Sequence, residues 1–157
     1  MNLDWVKIGV SPLKDLLDFL YKKSQTSDVQ KKQIIMELRN NLNVFKNGYK
    51  NKVAFDTMID LLSNDAIQQA IKGNFEFRKL KPGCIEPENI GNERNKKYIG
   101  WTCERLVDKI DEKIVELKNI KKMNNGSVLS ADHNVSLIMS NQYYRMKLLA
   151  DFIKSAA

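Results

Sequence analysis

Histidine, cysteine, proline and glycine are all scarce in this chain, and each scarcity removes a class of protein. One histidine, His133, and two cysteines, Cys84 and Cys103, stand among 157 residues. That set is incomplete for a tetrahedral structural metal site, so no metal and no cofactor are expected. With 3 prolines and 7 glycines the chain has few breakers, which favours long helices over a strand-and-turn fold. No apolar run approaches the roughly 18 residues of a membrane span, so none is expected. Residues 1–10 hold Asp4 and Lys7 and lack the apolar core of a secretory leader. With no leader to imply an oxidising compartment, both thiols are expected to be reduced and the protein cytoplasmic.

A concentrated block of one charge is missing as well. Lys and Arg number 26 against 19 Asp and Glu, for a net charge of +7. The excess is spread along the chain, with no basic arm and no long like-charge run. A basic protein invites a nucleic-acid partner, but only a folded surface can gather dispersed charges onto one face. Hydrophobic residues at 43% and charged residues at 29% are close to globular averages, which argues against global disorder. The length suits one domain, 1–157, with room for a real core.

What the chain has in quantity is helical periodicity. Ser11 followed by Pro12 reads as a cap and first helical residue, opening a helix striped by Leu13, Leu16, Leu17 and Leu20. The preceding Trp5, Ile8 and Val10 are expected to tuck onto the bundle. Ser27 and Gln30 form a capping-box pattern before Ile34, Ile35, Leu38, Leu42, Phe45 and Tyr49, with Gly48 as the expected stop. On this helix Lys31, Lys32, Glu37, Arg39 and Lys46 are expected to be solvated. Residues 51–72 read as helical, with a break at Ser63-Asn64-Asp65 and a stop at Gly73.

Residues 73–91 read as one long loop holding Pro82 and Pro87, packed through Phe75, Phe77, Leu80 and Ile85. A fourth helix is expected over 92–123, ended by Asn124-Asn125-Gly126. The last, over 131–155, is apolar on nearly every side. One stripe holds Val135, Ile138, Met139, Gln142, Tyr143, Met146, Leu149 and Ile153, and a second holds Leu137, Tyr144, Leu148 and Phe152. An ordinary surface helix buries one stripe. This one must therefore sit centrally or bury its second stripe against a partner. The short 124–129 connection favours antiparallel packing of the last two helices. The sum is an all-α bundle of four to six helices.

The chemistry-bearing residues are few. His133 follows Asp132, but neighbours in a helix do not face each other, so a helix-start role is the better reading. Position 128 is Val, so the arginine five residues before histidine that HEPN-type helical ribonucleases carry is absent. Glu104, Asp108, Asp111 and Glu112 are interleaved with Arg105 and Lys109, without the Glu-x-x-His of a bundle metal site, and read as a solvated face. Cys103 lies on an apolar stripe and reads as core. Phosphate loops, dinucleotide fingerprints, nucleophile elbows and RNA-recognition signatures are all absent. Arg78, Lys79, Lys81, Arg94, Lys96 and Lys97, interleaved with Phe75, Phe77, Tyr98 and Trp101, are the best local candidate for ligand or nucleic-acid binding. Leu137, Tyr144, Leu148 and Phe152 are the candidate interface for a protein partner or a second copy in a homodimer. The leading expectation is a non-catalytic, bacterial-type cytoplasmic accessory or regulatory module. A nucleic-acid-binding protein and an enzyme with an unfamiliar site are the alternatives.

Overall fold

The computed structural model describes residues 10–129, 131 and 134–155. Six α-helices cross them: α1 Val10–Lys23, α2 Val29–Lys50, α3 Phe55–Leu61, α4 Asp65–Lys72, α5 Cys103–Met123 and α6 Val135–Lys154. Three 3-10 turns, Phe77–Lys79, Pro87–Asn89 and Glu93–Tyr98, lie between α4 and α5. The chain is an all-α bundle, with no β-strand among the described residues. The expectations for Trp5, Ile8, Asp132 and His133 lie outside the described residues.

Capping explains where the helices begin. Asp28, one residue after the expected Ser27, caps α2, its carboxylate accepting from the Lys31 amide at 3.1 Å. Thr102 caps α5, accepting from the Arg105 amide at 3.3 Å. The fourth helix therefore starts about eleven residues later than its apolar pattern suggests, and residues 93–98 form a 3-10 turn instead. Asn134 caps α6, accepting from the Leu137 amide at 3.1 Å, so the link from α5 extends beyond the expected 124–129. Gly48 does not end α2, which continues to Lys50. Its function is close approach: a Cβ there would stand 2.6 Å from the Met58 sulfur of α3.

The break between α3 and α4 falls where the sequence placed it, but its anchor is a residue expected to be solvated. Glu37 is buried. Its carboxylate accepts from the Ala66 amide at 2.7 Å, the Ile67 amide at 3.2 Å and the Ser63 hydroxyl at 2.9 Å. One turn along α2, the Asn41 side chain exchanges two hydrogen bonds with the Ser63 backbone, at 2.8 and 2.9 Å. Two residues four apart on one helix thus hold the start of another.

Apart from Leu137 and the half-buried Ile138 near its start, both stripes of α6 are buried within this one chain. Met139, Gln142, Tyr143, Met146 and Leu149 lie in the core, and α6 packs on α1, α2 and α5. Full burial of the apolar side chains among them, such as Met139, Met146 and Leu149, contributes about 1.5–3 kcal/mol each. The second stripe is covered by the turns Pro87–Asn89 and Glu93–Tyr98. Tyr144, Leu148 and Phe152 are buried, while Leu137 stays 52% exposed. The expected interface patch is therefore not formed, because the 73–102 segment occupies the place a partner was expected to fill. No helix among the described residues is long and apolar enough to cross a membrane.

Candidate functional site

The 73–102 segment behaves as a strap across α6, and its fixings define the candidate site. Phe75 and Phe77 meet edge-to-face with centroids 5.2 Å apart, and both are buried with Leu80 and Ile85, as the sequence suggested. Ile85 then closes a lobe on itself. Its amide donates to the Trp101 carbonyl and its carbonyl accepts from the Gly100 amide, each at 2.8 Å. Residues 86–99 are held between these two bonds as a compact loop.

Cations fasten this lobe to α6. The Arg94 guanidinium lies 4.4 Å over the Tyr144 ring and donates to the Ser140 hydroxyl at 2.5 Å and the Asn141 side-chain oxygen at 3.1 Å. The buried Asn95 donates to the Tyr144 carbonyl at 3.0 Å. Lys81 is buried, donates to the Ser155 carbonyl and faces the Phe152 ring. From the other side Arg145, 3% exposed, donates from Nε to the Tyr98 hydroxyl at 2.9 Å and from a terminal nitrogen to the Gln142 side-chain oxygen. Gln142 in turn donates to the Ile110 carbonyl at 3.0 Å. These acceptors are all neutral, and neither Lys81 nor Arg145 has an ion pair among the described residues.

The six basic residues singled out by sequence therefore separate. Lys81 and Arg94 serve inside the strap. Arg78 is exposed and paired with Glu76 at 3.1 Å, with Lys79 exposed beside it on the first 3-10 turn. Lys96 and Lys97 are exposed on the Glu93–Tyr98 turn, Lys96 holding Glu93 at 2.7 Å. Lys97 stands 5.4 Å from the Tyr98 ring centre. Tyr98 meets Trp101 edge-to-face at 4.8 Å, and the Arg105 guanidinium stacks 4.0 Å over Trp101. The result is an exposed row in which Lys97 and Arg105 each lie over a ring while Lys96 is ion-paired with Glu93. Arg105 was missed because its sequence neighbours are acidic; only the helix start at Cys103 places it beside Trp101. Arg145 was missed because the charge pattern of a helix does not reveal that its charge points inward.

In the acidic group on α5, Glu104, Asp108 and Glu112 are exposed, and Asp111 and Glu112 have partners. Asp111 accepts from Asn64 at 2.8 Å and from Gln68 at 2.7 and 2.9 Å, tying α4 to α5 rather than facing solvent alone. Glu112 pairs with Lys109 at 2.8 Å, and that ammonium holds its carboxyl below the usual range. Asp108 is raised, by partial burial first and then by Glu104 and Asp111. Burial pushes the Cys103 thiol up to about 12, which keeps it protonated and inert. Among the described residues, no three His, Cys, Asp or Glu side chains are placed to hold a metal. Comparison with known proteins finds no matching family model, no matching curated protein and no matching solved structure.

Proposed function

We propose that this protein is a non-catalytic helical interaction module, a cytoplasmic accessory or regulatory protein whose contact face is the Lys96, Lys97 and Arg105 row. The supporting observation is the division of labour among its charges. Buried cations hold the strap in place, and in the exposed row ring faces limit the side-chain freedom of Lys97 and Arg105 while Glu93 limits that of Lys96. Pre-ordered cations lose less entropy on docking than free ones. The complementary partner is an acidic protein surface. A net charge of +7 adds long-range attraction to any such partner.

Nucleic acid is the second reading, favoured by the interleaving of basic groups with Tyr98 and Trp101. Titration of DNA and RNA across a salt series separates the two. A steep fall of affinity with salt, exceeding that for an acidic protein of equal charge, would favour nucleic acid. Lys96→Glu with Lys97→Glu should abolish acidic-partner binding while changing stability by less than about 0.5 kcal/mol, as surface substitutions do. Undiminished binding by that variant, at unchanged stability, removes this face from the reading.

A further inference from the structure

An open cavity of about 620 Å³ lies at the other end of the strap, lined by Lys81, Pro82, Gly83, Cys84, Glu88 and Phe152 among others. Its volume falls within the usual range for small-molecule sites. Lys81 forms part of its wall and is only 7% exposed. The ammonium has three donors. One goes to the Ser155 carbonyl, a residue that also lines the cavity, and the Phe152 ring centre lies 5.8 Å away. No carboxylate pairs with it among the described residues. A buried cation whose one described acceptor is a neutral carbonyl is costly, and an acceptor entering the cavity lowers that cost. The rim has the opposite sign, because Glu86 and Glu88 are exposed and line the same space. A cationic wall beneath an acidic rim repels phosphate dianions and suits a molecule carrying both signs.

We propose that this cavity binds a small zwitterion, a free amino acid or a dipeptide, with its carboxylate on Lys81 and its ammonium against Glu86 and Glu88. This inference does not rest on the contact face proposed above. Cys84 is exposed and lines the cavity, whereas Cys103 is buried, so one thiol reports on occupancy.

The experiment measures the rate of Cys84 alkylation by iodoacetamide, with calorimetric titration in parallel, against glycine, leucine, glycyl-leucine, acetate and inorganic phosphate. Leucine or glycyl-leucine should slow alkylation in a saturable manner and bind more tightly than acetate, with phosphate weakest. Lys81→Met should weaken zwitterion binding about thirtyfold or more, as loss of a buried charge partner does. Glu88→Gln, on the exposed rim, should weaken it about threefold to fivefold and, by removing a repelling charge, leave acetate binding no weaker. That rim variant decides the matter if Lys81→Met fails to fold. Absence of protection and heat with every zwitterion, equal zwitterion binding by Glu88→Gln, or tighter binding of phosphate would each overturn the proposal.

Discussion

Two of the segments between helices, the break before α4 and the strap across α6, are held by opposite charges. Between α3 and α4 a single buried carboxylate, Glu37, receives two backbone amides and a hydroxyl at the start of α4. Across α6 the strap is held by Lys81, Arg94 and Arg145, whose partners are one carbonyl, two hydroxyls, two amide oxygens and ring faces. The anion meets orphan N–H groups and the positive end of a helix dipole, which repay much of its desolvation. Neutral oxygens repay a cation less completely. The first clamp therefore recovers much, though not all, of the cost of burying its charge, and the second depends more on shape and hydrogen-bond geometry.

The harshest way to break the strap is from beneath. Leu148→Asp places an unpaired charge under the lobe, at a site 2% exposed, and should cost about 4 kcal/mol or more. Urea denaturation should then show a largely unfolded protein at neutral pH. A folded variant of near-normal stability would mean that the lobe lifts from α6 readily.

Glu37→Ala comes next, with an expected loss of about 3 kcal/mol, because three donors lose a charged acceptor. Amide exchange should quicken first in Asp65–Lys72. The pH dependence sharpens the comparison. Burial raises the Glu37 carboxyl above its ordinary range, against the opposing pull of its hydrogen bonds. A raised carboxyl binds its proton more tightly in the folded state, so its contribution is full below the ordinary range and declines as pH rises through the folded value. The advantage of the natural protein over Glu37→Gln should shrink as pH climbs out of the carboxyl range. Growth of that advantage with pH would contradict the assigned direction.

Periodicity made the bundle legible. Leu13, Leu16, Leu17 and Leu20, and the Ile34 to Phe45 stripe, are buried as spaced, and the break at Ser63-Asn64-Asp65 is real. The crowding of apolar residues on α6 also announced a second contact. Its occupant was not legible, because covering α6 with the strap depends on pairing between residues 85 and 100–101. Such pairing leaves no periodic trace. Glu37 and Arg145 escaped for a related reason: a charged residue near the edge of a stripe reads as solvated until a distant backbone comes to meet it. The basic site was half legible. Six cations were visible in sequence, but which of them face inward is set by turns rather than by spacing.

The smallest expected effects lie within the strap, and they test the comparison most closely. Tyr98→Phe removes the hydroxyl that accepts from Arg145 Nε and leaves a buried guanidinium one partner short, at a cost of about 1–2 kcal/mol. Arg145→Met removes the cation itself and keeps most of its volume. The Tyr98 hydroxyl and the Gln142 side-chain oxygen each lose a donor, but no ionic charge remains to be solvated. Removing one partner of a buried charge is most damaging when the group left behind is itself charged, and here both groups left behind are neutral. Arg145→Met should therefore cost less than Tyr98→Phe, although it deletes more hydrogen bonds. Guanidinium denaturation of the two variants and their double mutant gives the ordering and the coupling between the sites. If Arg145→Met proves the more damaging, the Arg145 charge is better compensated by its neutral acceptors than the Glu37 carboxylate is by its N–H donors.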